Sequence, residues 1–505
     1  MTTDWKPIFL TKRCSDLRKS EVESCSRLYS SHYGVWSGLG GHQAGTRIKL
    51  PPSYYEKYKE HKDMYVSLCK NKGALIGQAF FLKKILPDGK KCIWVTQLVV
   101  RSDFRRLGVA TKLLQSAWGF SDYFAWGLAT TNAVTVKTLE SVTWREVDPQ
   151  FISDNLDVID TLCQSIEFVR DADKIVSKCE SQINSHFFPD FQHLDNDISN
   201  VYIKKLGPIR RGYEWLAFTF QTQEMFFNQT NFDKLLDFST GQIQDAYGRM
   251  KMSQQKWTKH TGHEITTLER KMQMTQGASV LDMGCGIGRH SKELAGRGYK
   301  VNGIDFSHRL IQIAQRSCKR VPNVKFAEDD CRRLKTKARF DYAICLYDVI
   351  GSFREESHNR RIAENLYKRL KTGGKAAISV MNMDLTSALA SNVTRIKDNP
   401  QALLKLKASN IMQSSGNVFN PEYFILDSES HLVYRKEQFE RDGLLSSEYV
   451  IADYRYTSDE ICSMLQEVGF KILESQYVQA GHWDTPLEPT NPKAKEILVI
   501  VEKEA

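Results

Sequence analysis

The sequence has no pair of cysteines spaced as CxxC: its eleven cysteines, an odd number in a chain of 505 residues, lie scattered from Cys14 to Cys462. Neither a disulfide framework nor a zinc ribbon is indicated, and the cysteines read as buried reduced thiols. Long hydrophobic runs are missing too. The longest, Ala125 to Val136, is interrupted by Gly and Thr and falls short of the roughly 18–20 residues that a membrane span needs. The first residues, Met-Thr-Thr-Asp-Trp-Lys-Pro, lack the basic start and apolar core of a signal peptide, so a cytoplasmic address and no membrane partner are expected. No internal repeat or low-complexity tract is present. With 41% hydrophobic and 26% charged residues the composition is that of a soluble globular protein. The length suggests about two to four domains.

A surplus of acid is absent as well. The net charge is +10, and it is unevenly placed: residues 1–150 hold 23 Lys and Arg against 13 Asp and Glu, while the other 355 residues hold 47 of each. The whole excess lies in the first 150 residues. It fits an anionic partner there, either a phosphate-rich cofactor or a nucleic acid, or else a solubilising face around Lys57, Lys59 and Lys62.

Residues 65–82 read as two strands around the turn Lys70-Asn71-Lys72-Gly73, and 83–91 as a second turn with Pro87-Asp88-Gly89. A β-rich run, 92–100, then ends in a basic loop, 101–110, and Thr111 to Trp118 continues as an apolar-faced helix. A strand, a basic glycine loop and a helix in that order point backbone N–H groups at one spot, which suits a pyrophosphate; Gly108 permits close approach, and Arg105 and Arg106 add charge. Here the sequence resembles the GNAT family of acetyl-CoA-dependent N-acetyltransferases, through Arg105, Gly108 and Ala110, the strand 95–100 before them and Ala129-Thr-Thr-Asn-Ala133 after. The resemblance implies that amides of Val100 and of Arg106 to Ala110, Val109 among them, hold the pantetheine and pyrophosphate of acetyl-CoA. One departure stands out: Leu139 occupies the place where many members carry a Tyr that protonates the leaving thiolate. Either another group takes that role or this half binds the cofactor without efficient transfer. Glu214 and His186 are candidates for acceptor binding or for a base; equally, they read as a residue of a capped strand and a histidine at the edge of the core.

The clearest signal is the strand-turn-helix at 277–291. An apolar strand ends at Asp282 and turns through Gly284, Gly286 and Gly288. A ligand can approach the backbone closely there, as at the switch point of a doubly wound sheet. The next strand ends at Asp305, placed to accept ribose hydroxyls. The glycine spacing, with an acid two residues before it, favours S-adenosylmethionine over a dinucleotide. From about Trp257 onward the sequence resembles class I methyltransferases. That resemblance places Asp330 at the adenine amine and the Cys331 N–H at the ring, with 340–348 as the fourth strand and 370–375 as the turn before the fifth. The segment Leu346 to Phe353 lacks the Pro-Pro-aromatic motif of enzymes that methylate nucleobase amines and looks more like the branch acting on small molecules. Tyr347 and Asp348 are candidates to orient or deprotonate an acceptor, or are a stacking residue and a helix cap. Residues 385–450, with strands near 423–426, 432–435 and 447–454, form an insertion suited to capping the acceptor pocket. His260 and His263 have no third ligand nearby in sequence, so no metal site is expected.

The expected fold class is α/β in two domains: a mixed-sheet GNAT-like α+β domain over 1–225, then a doubly wound Rossmann-like methyltransferase sheet with an inserted antiparallel cap over 266–505. Residues 226–265 are expected to be a connector with lead-in helices, at 243–251 and again at 265–274. The expected activity is a bifunctional transferase using acetyl-CoA and S-adenosylmethionine on a small-molecule or nucleic-acid acceptor. The alternative is a methyltransferase whose basic first half only holds substrate such as tRNA or DNA. The sequence sets no oligomeric state.

Overall fold

The computed structural model describes residues 7–118, 123–190, 196–226, 256–410, 417–441 and 444–504. The expected helix at 243–251 lies outside them. The chain forms two compact units, Met1–Phe238 with Glu440–Glu448, and Ser239–Phe439 with Tyr449–Ala505. All eleven cysteines are free thiols. No helix among the described residues is long and apolar enough to cross a membrane.

The first unit is built on β1 (Ile8–Arg13), β2 (Met64–Asn71), β3 (Ala74–Ile85), β4 (Lys91–Val100), β5 (Ala125–Thr130), β6 (Lys174–Ser177), β7 (Glu180–Asn184) and β8 (Tyr213–Phe220), in the sheet order β1-β2-β3-β4-β5-β8-β7-β6. Every neighbouring pair is antiparallel except β4 with β5. Lys72 and Gly73 both take positive φ, so the β2–β3 hairpin closes in two residues, as the sequence suggests.

Successive strand residues face opposite sides, and adjacent Gly77 and Gln78 show what covers each. Gly77 lacks the Cβ that would come within 2.9 Å of Val109 and 3.0 Å of Leu113, so helix Val109–Trp118 packs on that face. Gln78 bonds the Tyr55 hydroxyl at 3.1 Å, so helix Pro52–Glu60 covers the other. A bulge at Thr96 interrupts the β3–β4 register between Phe80↔Gln97 and Phe81↔Val95.

The second unit carries β9 (Ser279–Met283), β10 (Lys300–Asp305), β11 (Val324–Glu328), β12 (Phe340–Cys345), β13 (Leu370–Met381), β18 (Phe470–Gln479), β19 (His482–Leu487) and β20 (Glu496–Lys503), in the order β11-β10-β9-β12-β13-β20-β18-β19. The first five are parallel and the last three join antiparallel. Both faces are buried. Along β12, Ala343 and Cys345 enter one hydrophobic core with Ile362 and Leu465, while Ile344 enters another with Leu268 and Trp483. Strand order runs outward from β9 in one direction and from β12 in the other, so a crevice opens beyond their carboxyl ends, the usual ligand position in such sheets.

The insertion forms its own sheet, β14 (Val393–Thr394), β15 (Phe424–Asp427), β16 (Leu432–Arg441) and β17 (Leu444–Tyr454), in that order. It departs from the expected antiparallel cap in one pair: β14 runs parallel to β15, because the chain between them crosses back through helix Ala402–Lys405 instead of a hairpin.

Candidate active sites

In the first unit β4 and β5 pair only from Cys92↔Ala125 to Val95↔Leu128, although β4 continues to Val100 and β5 to Thr130. The strands fork. The Arg101 amide donates to the Ile76 carbonyl, so the Val100 N–H, one residue back, turns to the opposite edge, into the fork. The loop that follows places Arg106 and Gly108 at positive φ. A Cβ on Gly108 would meet nothing within 4 Å, so a ligand can approach the backbone there. Helix Val109–Trp118 makes its first intrahelical bond at Lys112, to the Gly108 carbonyl, which leaves the Val109, Ala110 and Thr111 amides aimed at the loop. Arg105 is differently employed from the expectation that it simply adds charge. Its guanidinium donates to the Val100 carbonyl at 3.2 Å and to the His32 carbonyl, pinning the loop to the end of helix Lys19–His32.

Glu214 lies on the other face. Residues 214, 216, 218 and 220 of β8 share one side, and Phe218 packs against Gly127 and, edge-on at 5.1 Å, against Trp94, which is opposite Leu82 on the Gln78 side. Glu214 is buried next to Trp215, which pairs with Thr130 at the open end of the fork. Burial pushes its carboxyl up to about 7. Tyr29 and Tyr33, stacked at 4.2 Å, lie close enough to feel its charge. His186 is exposed at a left-handed turn, and Leu139 is core.

In the second unit Gly284 and Cys285 both donate to the Ile304 carbonyl, at 2.8 and 2.9 Å, folding the glycine turn over β10. A Cβ on Gly284 would lie 2.3 Å from Val349 Cγ2 and one on Gly288 2.7 Å from Phe326, whereas Gly286 faces open space. The loop is thus closed below and open above. Asp305 is already bonded: Oδ2 accepts from the Gly286 amide and Oδ1 from the Ser307 amide, both at 2.9 Å. Its first role is to clamp the loop, with the second lone pair of each oxygen left for a ligand. Asp282 accepts from the Ser291 hydroxyl at 2.6 Å; burial raises its carboxyl to about 6. Asp330 is held by Arg332 at 2.9 Å, and the Cys331 carbonyl by Asn365 at 2.9 Å. An open backbone between two buried acids fits a nucleoside with a cationic tail.

Tyr347 and Asp348 follow β12, both at positive φ. The Tyr347 hydroxyl donates to Glu264 Oε1, and its ring has the Arg289 guanidinium at 4.5 Å and the Trp483 ring at 5.9 Å as neighbours. Glu264 is fully buried on helix Thr261–Met272. Burial alone would raise it, yet the bond from His290 at 2.7 Å and the Arg289 charge hold it at about 2. Asp348 is buried, and among the described residues its Oδ1 has no hydrogen-bond donor. Burial and then the Asp453 charge drive its proton affinity well up, opposed by Arg455 and Arg435 from the insertion. Those arginines converge on Asp453, Arg435 at 2.9 Å and Arg455 at 3.7 Å.

Comparison with known proteins gives two family matches in one chain: the acetyltransferase (GNAT) family over residues 36–131 and a methyltransferase domain over 280–374. The chain carries a GNAT acetyltransferase domain and a methyltransferase domain. The methyltransferase domain is similar to a putative methyltransferase of Geobacillus sp. (strain WCH70), 32% identical over 20% of this chain and 41% of that protein. It is also similar to the dTDP-4-amino-2,3,4,6-tetradeoxy-D-glucose N,N-dimethyltransferase of Saccharopolyspora spinosa, 30% identical over 24% of this chain and 47% of that one. This chain spans less than half the length of either. Among solved structures, an S-adenosylmethionine-dependent methyltransferase from Clostridium acetobutylicum ATCC 824 aligns over 52% of this chain and 99% of its own, at 14% identity and a TM-score of 0.36.

Several residues of the methyltransferase domain escape sequence reading. Glu264, Trp483 and Glu496 reach the end of β12 from distant segments; only Arg289 and His290, which follow Gly288 directly, carried a positional cue. The structure also brings His482 and Asp484 beside His260 and His263, with His263 Nε2 3.4 Å from Asp484. Among the described residues no group of three or more is arranged to hold a metal ion.

Proposed function

We propose that the chain is a bifunctional transferase that acetylates an amine from acetyl-CoA and methylates a small-molecule acceptor from S-adenosylmethionine. The observation that carries this reading is a repeated feature: each domain sets an open glycine backbone, at Gly108 in one and at Gly286 in the other, where a ligand can approach close to the start of a helix. In the acetyltransferase domain Val100, Arg106, Gly108, Val109 and Ala110 would hold acetyl-CoA, whose thioester supplies the acetyl group. Glu214 takes one proton from the incoming ammonium. The freed nitrogen bonds to the carbonyl carbon as the carbon–sulfur bond breaks, and the second nitrogen proton leaves with the thiol. The Val100 N–H polarises the carbonyl.

In the methyltransferase domain Asp282, Gly284, Gly286, Gly288, Asp305, Asp330 and Cys331 would hold S-adenosylmethionine, which supplies an electrophilic methyl group. Tyr347, its proton committed to Glu264, orients the acceptor by its ring. Asp348 lies buried against Gly351, its carboxyl favoured in the protonated form, and would hold the turn that faces the acceptor. The turn that bears it meets the cradle directly, since Val349 fills the space against Gly284. The Saccharopolyspora relative is named as an N,N-dimethyltransferase, which favours an amine acceptor. The test is an acceptor screen with both labelled donors. Glu214→Gln should lower acetyl transfer by about 10²–10⁴-fold and leave methyl transfer, and Asp305→Ala should lose methyl transfer and leave acetyl transfer; one variant losing both would refute two separate sites.

A further inference from the structure

A cavity of about 330 Å³ opens in the first unit between helix Pro52–Glu60 and the turn at 165–170. Its volume falls within the range of small-molecule pockets. Its lining includes neither Glu214 nor any residue of the loop at 100–110, so it is separate from the residues assigned to acetyl transfer. The inner wall is aromatic and apolar: Tyr54 and Tyr58 meet edge-to-face at 5.1 Å, and Phe168, Met64 and Ile166 join them. The two tyrosine hydroxyls lie 3.1 Å apart and bond each other, and the Thr96 hydroxyl donates to the Phe80 carbonyl at 3.2 Å. Such a wall takes a flat ring, by stacking and edge-to-face contact.

The mouth is of a different character. Lys57 on the helix reaches Glu167 on the turn at 3.3 Å, a strap across the opening whose two side chains are exposed and whose hold is therefore weak. His61 accepts the Asp63 amide at Nδ1, at 3.2 Å, which puts the proton of the neutral ring on Nε2 as a donor. Arg170 spends its Nε on the Gln164 carbonyl at 3.3 Å and forms no ion pair among the described residues. Two cations and a neutral donor thus face one carboxylate, and that carboxylate is already engaged by Lys57. An ammonium is repelled at such an opening. A carboxylate is drawn to it and can take Lys57 over from Glu167.

We infer that this cavity is a binding site for a small aromatic carboxylate, its ring among Tyr54, Tyr58 and Phe168 and its carboxylate at Lys57, His61 and Arg170. The site is a second one, beyond the two transfer sites, and does not depend on the acetyltransferase reading. The experiment titrates the full chain calorimetrically with 3-phenylpropionate, phenethylamine and hexanoate. 3-Phenylpropionate should bind saturably and about fivefold or more tighter than either of the others, since phenethylamine reverses the charge at the mouth and hexanoate lacks the ring. Arg170→Glu should weaken 3-phenylpropionate about fivefold, whereas Glu167→Gln, which releases Lys57, should strengthen it about twofold. Both positions are exposed, so the thermal midpoint should stay at the wild-type value and the change in Kd reads the mouth alone. Acetyl-CoA should leave the Kd of 3-phenylpropionate unchanged. Absence of 3-phenylpropionate binding, tighter binding of phenethylamine or hexanoate, no response to either charge variant, or competition with acetyl-CoA would overturn the assignment. Failure of acetyl-CoA to bind would overturn the acetyltransferase reading and leave this site standing.

Discussion

Val95 on β4 pairs with Leu128 on β5, and beyond that pair the two parallel strands share no further partner. The bulge at Thr96 lies at this point and bends β4 away. One gap in the sheet therefore separates a glycine loop and helix N-terminus on one face from a buried carboxyl on the other. For the proposed acetyl transfer, that separation would let an acyl donor and an amine meet without sharing an entrance.

Glu214 should behave as a general base. Its carboxyl titrates near 7, so kcat/KM for acetyl transfer should rise with pH and level off above that value as the carboxylate form fills. Glu214→Gln should lose about 10²–10⁴-fold in kcat and should also lose that limb, while acetyl-CoA still binds. A pH–rate profile of both proteins reads this directly.

The glycine turn offers a contrast between neighbours. Gly284→Ala sets a Cβ against Val349 as well as forcing a positive φ, and should cost more than about 2 kcal/mol in denaturant unfolding. Gly286→Ala meets no atom in the protein and should cost only about 1 kcal/mol, yet weaken S-adenosylmethionine binding. Equal destabilisation by the two would mean that the turn is not closed below and open above.

Asp282 makes stability depend on pH. Its carboxyl stands raised at about 6, so the folded protein holds that proton more tightly than the unfolded chain, and the stability it lends in acid is lost as pH climbs from about 4 through 6. Asp282→Asn keeps an acceptor for Ser291 and carries no charge. Its stability relative to the wild type should improve by about 1 kcal/mol between about pH 5 and pH 8, in unfolding curves without ligand.

The insertion sheet and the residue after it bring Arg435 and Arg455 to face Asp348. Arg455 is fully buried, bonding Thr386 at 2.8 Å and facing Asp453. Arg455→Met strands the Asp453 charge against Arg435 alone and should cost about 3–5 kcal/mol. Loss of methyl transfer should appear as a raised acceptor KM at concentrations where the variant stays folded.

How far the sequence could be read follows from how local each feature is. The turn through Gly284, Gly286 and Gly288 between the strands that end at Asp282 and Asp305 was readable because its pattern is local, although Val349 and Phe326, which close it below, come from farther along the chain. The β2–β3 hairpin and the helix after Gly108 were readable for the same reason. Glu264 and Tyr347 meet across 83 residues, and no periodicity announces such a pair. The fork was not readable either, because it is a matter of register: nothing in the residues of β5 says where its pairing with β4 stops. Arg105 and Asp330 show the converse limit, since a motif gives a residue's position but not the carbonyls or guanidinium that already occupy its side chain.

The measurement closest to the central claim is calorimetric titration of the full chain with acetyl-CoA and with S-adenosylmethionine, repeated on Arg106→Glu and Asp305→Ala. Asp305→Ala deprives the Gly286 and Ser307 amides of their acceptor and should lose S-adenosylmethionine alone. Arg106→Glu reverses the charge of the first loop and should lose acetyl-CoA alone. Two saturable ligands, each lost in its own variant, are the predicted result. Absence of acetyl-CoA binding in the wild type, or loss of both ligands in either variant, would contradict the account of two separate transfer sites in one chain.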